Sequence, residues 1–454
     1  MSETTSPVTS MDNSHSSLPL PPGSYGLPFL GETIPWRRDP LKFLRRRYEL
    51  YGRIFKSSIY GRREITMLGP EANRFILSTH RDHFEWGGGY EPFLDRRLFL
   101  DNLFLQDGKG HDRHRQIILP AFHGKALRGY FDTMHELTRS YANGWAKAGL
   151  IVAFPELRKL TFAIAARLLL GADTSEQMGR LSELFDTLAR GTQAFPKWDF
   201  PWTKYGRARR ALESLRAYFQ ARLHERRTEA RHDVLGMLVT ATDDKGEPLT
   251  DEEIVSQIMM LVLAAHDTTT SSMTWLLYEL DRRPEIKSRL RAEFSQSTGG
   301  FPPSLEHLPQ LRYLDLVLKE VERRHPVLTG LPRKVIKAFD FDGYHVPAGS
   351  TVYYSTLFTH MMPEVFTAPD LFDPDRFAPP RNEEDRTPFS LVGFGGGPRA
   401  CIGQGFARME MKILTATLLG GYDWSVSPGQ DLRSTYSPTN RPKDGLRIRF
   451  EAKK

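Results

Sequence analysis

One long, unbroken helical pattern constrains this chain more than any other feature. Thr250-Asp251-Glu252-Glu253 reads as a capping box, with the Thr250 side chain accepting from the amide three residues on and Glu253 reaching back. The helix it opens meets no breaker before Pro284, so it runs to about Arg283. At 1.5 Å per residue that is roughly 50 Å, enough to cross a whole domain. Its middle, Ile258 to Ala265, is apolar on all sides and is expected to be buried all round. Polar residues then appear inside the same rod: His266, Asp267, Thr268, Thr269 and Thr270.

The rest of the chain fits a mainly α fold around that rod. Apolar residues at i, i+3, i+4 mark helices over 128–147, 154–170, 175–190 and 204–227, and another over 311–324 ends before Pro326. Strand-like pieces are few: a hairpin between Gly52 and Leu68 turning near Gly61, short segments at 334–336, 345–346 and 351–354, and a closing pair near 446–450. Irregular Pro- and Gly-rich chain occupies 370–399, and a last helix spans about 403–419. Residues 1–17 are polar and read as a disordered tail; 18–454 contains no linker-like boundary and reads as one domain.

Composition removes several function classes. With 40% hydrophobic and 26% charged residues the chain is neither disordered nor fibrous. No run of 18 apolar residues exists, so no membrane anchor is expected, and the N-terminus has no secretory-signal pattern. Lys and Arg number 62 against 55 Asp and Glu, a net charge of +7 spread among acidic neighbours, which is no stripe for nucleic acid. Cys401 is the one cysteine. It excludes an internal disulfide and a multi-cysteine zinc site, and suits a reducing, cytoplasmic setting.

Cys401 sits in Phe394-Gly395-Gly396-Gly397-Pro398-Arg399-Ala400-Cys401-Ile402-Gly403, just before a helix start. Glycines let backbone turn tightly and approach a flat ligand, and helix-start amides favour a thiolate. A thiolate between small residues suits an iron ligand on one face of a macrocycle. A lone cysteine is also commonly a small buried hydrophobe. A phosphate loop is excluded, since Pro398 stands where a third glycine belongs and no Lys-Ser/Thr follows.

The order Phe394, Gly397, Arg399, Cys401, Gly403 resembles the haem-binding signature of the cytochrome P-450 monooxygenases, and the resemblance extends over nearly everything from Pro19 to Phe450. It implies the cytochrome P-450 fold, a large helical region with a small β-rich region, and haem b between the long helix and the cysteine loop. Cys401 would ligate iron, with Phe394 and Gly403 shaping its loop. Glu320-Val321-Glu322-Arg323 is similar to the family's Glu-x-x-Arg pair, with Arg376 of Phe372-Asp373-Pro374-Asp375-Arg376-Phe377 as the third member of a buried network. Taken alone, Glu320 and Arg323 read as a surface pair worth little.

Ala264-Ala265-His266-Asp267-Thr268-Thr269 resembles the family's oxygen-side motif, which implies that Thr268 holds a water and Asp267 feeds protons from solvent. Without the resemblance, Thr268 reads as bonding back to its own helix and Asp267 as paired with a base. The family usually has glycine at Ala265, so the extra methyl is expected to narrow the oxygen groove. The resemblance also assigns His111, Arg115, Arg333 and Arg399 to the haem propionates.

Substrate-pocket candidates by position are 84–105, 195–205 (with Phe195, Trp198, Phe200 and Trp202), 261–265, 327–331 and 436–439; their character implies an apolar small-molecule substrate such as a terpenoid, polyketide, retinoid or fatty acid. The opening Pro-Pro-Gly segment and Gly69-Pro70-Glu71-Ala72-Asn73-Arg74-Phe75 look like the retinoic-acid-hydroxylase and cyanobacterial branch. Trp86-Gly87-Gly88-Gly89-Tyr90 and Glu322-Arg323-Arg324 depart from it; apolar residues normally flank that arginine. Dioxygen is the co-substrate. No flavin or iron–sulfur module is expected in the chain, so electrons are expected from a separate ferredoxin- or flavodoxin-type donor with its NAD(P)H reductase, docking near Arg408 and Lys412, and the protein is expected to be a monomer. The rivals are a haem-thiolate peroxygenase or isomerase, which the intact Asp267-Thr268 pair disfavours, and a non-catalytic haem sensor.

Overall fold

The computed structural model describes residues 16–91, 94–99, 101–172, 174–192, 194, 197–229, 231, 233–299, 304–436 and 439–453. Most of the expected tail (1–15) and Phe195 lie outside the described residues.

The β-rich region is a five-stranded sheet of β1 (Ile54–Ile59), β2 (Arg62–Met67), β3 (Phe84–Glu85), β4 (Leu331–Val335) and β5 (Thr351–Tyr354), in the order β1-β2-β5-β4-β3. β1 and β2 form the expected hairpin. β2 pairs parallel with β5, Ile65 opposite Val352, although nearly 300 residues separate them. Hairpin spacing signals the first pairing; nothing local signals the second. Three further strands, Leu150–Val152, Tyr422–Val426 and Arg447–Ala452, make a separate antiparallel sheet.

The helices that position the site are α1 (Gly108–Ile118), α2 (Ala153–Leu170), α3 (Asp251–Arg282), α4 (Arg312–Arg324) and α5 (Gln404–Gly421). α3 is the expected rod, and both hydrogen bonds of its capping box are present: Glu253 N–H to Thr250 Oγ1 at 3.2 Å and Thr250 N–H to Glu253 Oε2 at 2.7 Å. It packs along α2, where the Thr161 hydroxyl lies 2.8 Å from the Thr270 hydroxyl and donates to the His266 carbonyl at 3.2 Å. The all-round burial expected for Ile258 to Ala265 does not hold. Met260 is half-buried and Ala264 is exposed where one side of the helix faces an internal cavity, and Leu263 is half-buried against the main core.

Two of the helices that the periodicity misses share a start signal. Pro40–Tyr51 starts on Asp39, whose carboxylate caps Lys42 N–H at 2.9 Å. Pro284–Thr298 follows the long rod after a single residue. In both, proline occupies the first helical turn, where its missing N–H is harmless, and so starts a helix as readily as it stops one.

Candidate active site

Behind the cysteine loop lies a buried ion network. The Glu320 and Arg323 side chains are 0% exposed, as is Arg376. Arg323 donates from Nη2 and Nε to the two Glu320 oxygens at 2.7 and 2.8 Å, and Arg376 Nε lies 3.1 Å from Glu320 Oε2. Arg376 also binds Glu383 at 2.8 Å. The remaining guanidinium protons go to carbonyls of His360, Pro369, Leu371 and Thr367. Every charge is hydrogen-bonded, the condition under which buried ions are tolerated. Glu383 is a member that the sequence reading missed; only its place seven residues past Arg376 hints at it.

The loop itself is fixed by backbone. Cys401 N–H donates to the Phe394 carbonyl at 2.8 Å, closing the turn, and Gln404 N–H returns to the Cys401 carbonyl at 3.3 Å. Gly397 has φ +61°, and a Cβ there would lie 2.1 Å from the Leu77 carbonyl, so the close pass of loop and chain requires glycine. Gly403 is the N-cap of α5, beside the cavity rather than on its wall among the described lining. Cys401 is exposed and lines the cavity. Burial pushes its thiol up, opposed by the Gly403 amide and the Arg115 cation.

The cavity is walled by Cys401, Phe394, Arg399 and Ala400 from the loop, by Thr268, Thr269, Leu261, Ala264 and Met260 from α3, and by His111 and Arg115 from α1. Trp86, Leu103, Phe104, Val327, Leu328 and Leu331 complete its apolar side. Three of the expected substrate segments (84–105, 261–265, 327–331) therefore supply wall residues. The segment 197–205 does not. Trp198, Phe200 and Trp202 are exposed, with the Phe200 and Trp202 rings stacked 5.3 Å apart on the outer surface. Tyr436 and Thr439 are likewise absent from the described lining. Ala265 packs against the main core, so its methyl does not narrow the cavity.

One wall collects cations. Arg115 is half-buried and has no hydrogen-bonding or ion-pair partner among the described residues; burial lowers its pKa. Arg333 is 2% exposed, lies with its guanidinium 3.3 Å from the Trp86 ring centroid, and donates to the Pro332 carbonyl and the Tyr354 hydroxyl. It reaches a neighbouring cavity shared with Trp86, Asp107 and Arg399 rather than the Cys401 cavity itself. Arg399 is paired with Asp107 at 2.8 Å, yet burial, reinforced by Arg333 and Arg115, brings it down to about 10. His111 is buried and pulled down to about 4 by burial and Arg399, so it is a neutral imidazole. Trp86 Nε1–H, also buried, has no acceptor among the described residues. A guanidinium without a carboxylate on the Cys401 cavity, a second on the neighbouring one, and an unmet indole donor on both suit a ligand that brings its own carboxylates. Haem b, with two propionates and an iron that takes a thiolate, fits this wall and Cys401 opposite α3. Trp86 was not foreseen in this role; an aromatic before a glycine run carries no signal of it.

Asp267 and Thr268 part company. The Thr268 hydroxyl faces the cavity and donates to the Ala264 carbonyl at 2.8 Å. Asp267 turns away and takes the Arg158 Nε–H at 2.6 Å; Arg158 also binds Asp186. Both bland local readings, the back-bonded threonine and the base-paired carboxylate, describe the observed hydrogen bonds. Of the two cations expected to dock an electron carrier, Arg408 is half-exposed, whereas Lys412 is largely buried and held by Asp315 at 2.8 Å and the Leu308 carbonyl, which removes it from the surface.

Comparison with known proteins agrees with this geometry. The family described as Cytochrome P450 matches residues 21–448. Cytochrome P450 120 of Synechocystis sp. is 35% identical, covering 98% of this chain and 99% of its own, and human cytochrome P450 26B1 is 32% identical over 95% and 87%. The solved structure titled retinoic acid bound cyanobacterial CYP120A1 superposes with a TM-score of 0.88 at 34% identity, covering 96% of this chain and 100% of that one. No helix among the described residues is long and apolar enough to cross a membrane. A lone cysteine on a glycine loop, facing a long helix across a cation-lined cavity, is thus found in a chain that belongs to the cytochrome P450 family, a haem b-containing monooxygenase of apolar substrates.

Proposed function

We propose that this protein hydroxylates or epoxidises an apolar small molecule of the terpenoid, polyketide, retinoid or fatty-acid class, with Cys401 as the iron ligand. The observation that carries the reading is that Cys401 and Thr268 line one cavity from opposite elements, with Arg115, which has no carboxylate partner among the described residues, on the same wall. When bound, haem b supplies dioxygen activation and the transfer of one oxygen atom. The chain's own residues do the rest. Arg115, Arg333 and Arg399, with His111 and Trp86 Nε1–H, hold the propionates. Leu103, Phe104, Leu261, Val327, Leu328 and Leu331 desolvate the substrate and exclude water. Thr268 Oγ1 holds a water and passes its proton into the cavity, and Asp267 resupplies that proton from the solvent side through its carboxylate.

The retinoic acid in the related cyanobacterial structure makes a retinoid the first candidate to screen. Electrons come from a separate ferredoxin- or flavodoxin-type carrier that meets the cysteine face at Arg408, and the protein works as a cytoplasmic monomer. The test is the spectrum of the dithionite-reduced protein with carbon monoxide, for wild type and Cys401→Ser. A strongly red-shifted Soret band lost in the variant supports the ligand assignment; an imidazole-type spectrum in the wild type removes it. Substrates are then screened by the spin-state shift they cause, with retinoic acid and a neutral terpenoid as the first two probes.

A further inference from the structure

Glu322 belongs neither to the buried ion network nor to the cation wall. Its neighbours on α4, Glu320 and Arg323, point into the core, whereas Glu322 points at the start of the cysteine loop and lines the cavity with Cys401. Its Oε1 accepts the Gly393 N–H at 3.1 Å. A Cβ on Gly393 would lie 2.5 Å from Glu322 Cγ and 2.7 Å from Oε1, so carboxylate and glycine are fitted to each other.

The charged groups around Glu322 leave it poorly neutralised. Arg408 is 3.8 Å away, with its guanidinium 5.5 Å from the Phe394 ring centroid, and Lys319, one turn back on α4, is engaged by Glu384. The Glu322 side chain is 13% exposed, so water screens it little. A loop amide alone needs no carboxylate, since any carbonyl would serve. What Glu322 adds, when ionised, is a negative charge held 3.1 Å from a loop amide on the cavity wall that Cys401 also lines.

We infer that Glu322 is a positioning residue whose charge lowers the reduction potential of the haem iron through the cysteine loop. Reduction adds an electron to the site, and a nearby anion in a poorly screened interior disfavours it. The inference rests on Cys401 being the iron ligand.

The experiment compares the midpoint potential of substrate-free wild type, Glu322→Gln and Glu322→Leu by spectroelectrochemistry, with haem content and the carbon monoxide spectrum recorded for each. Burial pushes the Glu322 carboxyl up to about 7, so the comparison is made at pH 8, where it is ionised. Glutamine keeps the acceptor for Gly393 and leucine does not; both remove the charge. Both variants are expected to raise the one-electron reduction equilibrium roughly tenfold, about 59 mV. A shift in the leucine variant alone would assign Glu322 to loop support, and no shift in either would also overturn the inference. Arg408→Gln leaves Glu322 in place without its counter-charge and is expected to move the potential the other way. That variant decides the matter if the Glu322 variants fail to hold haem; an unchanged or raised potential there overturns the inference. A wild type lacking the thiolate-type spectrum refutes the ligand assignment itself, and this inference with it.

Discussion

Asp267 and Arg158 form an ion pair 2.6 Å long across the interface of α3 and α2, and it turns the carboxylate away from the cavity that its neighbour Thr268 faces. Arg158 also grips Asp186, and the two carboxylates raise its guanidinium pKa well above the ordinary range against the cost of burial. Both side chains are partly exposed, Arg158 at 27% and Asp267 at 22%, so the pair opens to the outside of the helix layer.

Asp267→Asn keeps an oxygen for Arg158 but cannot carry a proton. Product formed per NAD(P)H oxidised with a surrogate reductase is expected to fall by about 10²-fold, the usual size of a lost general acid. Haem content and substrate-induced spin shift are expected to stay at wild-type values, and the solvent isotope effect on turnover to rise. Equal turnover in wild type and variant would assign the Asp267–Arg158 pair to helix packing alone.

The network of Glu320, Arg323, Arg376 and Glu383 connects toward the cysteine loop through His360, whose carbonyl takes Arg323 and whose Nε2 accepts the Val392 N–H at 3.0 Å. Glu320→Ala leaves two fully buried guanidiniums without their shared carboxylate, which destabilises by about 3–5 kcal/mol. The expected outcome is apoprotein with a lowered unfolding midpoint and little haem absorbance. Purification of Glu320→Ala with a full complement of haem would show that the loop holds without the network.

Gly397 and Gly403 sit six residues apart with opposite tolerance. Gly397→Ala places a methyl 2.1 Å from the Leu77 carbonyl at φ +61° and is expected to abolish haem loading. Gly403→Ala meets nothing within 4 Å and has negative φ, so it is expected to load haem normally, with an unfolding midpoint close to wild type. Haem content per protein, read from the absorbance ratio, separates the two; similar loss in both would mean that Gly403 serves the haem directly.

Local pattern carried much of this structure. The α3 rod was legible because a capping box and a proline bracket one apolar run, and the cysteine loop because its glycines and single thiol occur once. Contacts set by tertiary packing were not legible. The Arg158 partner of Asp267 lies 109 residues away, and the parallel pairing of Ile65 with Val352 has no turn to announce it. Aromatic character misled for Trp198, Phe200 and Trp202, which lie outside, because an apolar ring looks the same in a sequence whether it lines a pocket or a surface. The Trp86 donor was hidden for the converse reason: its partner is expected to come from the cofactor, not from the chain.

Glu410 gives the protein a built-in dependence on pH. In the second turn of α5 it is 0% exposed, with no ion-pair partner among the described residues. Burial pushes its carboxyl up to about 8, opposed only by the Thr269 hydroxyl. A folded value above the unfolded one of 4.5 means that the fold holds the neutral form. Its contribution is fully present below pH 4.5, declines as the unfolded chain ionises between 4.5 and 8, and is constant above. Over that window the loss is on the order of a few kcal/mol. Glu410→Gln removes the ionisation and is expected to unfold near the wild-type midpoint at pH 5 but at a clearly higher one at pH 9. Part of the slope is expected to remain in the variant, because burial also pushes Glu322 and Glu64 up to about 7. Parallel wild-type and variant curves across pH 5–9 would mean that Glu410 is ionised in the folded protein, with a partner supplied from the cavity that Thr269 lines.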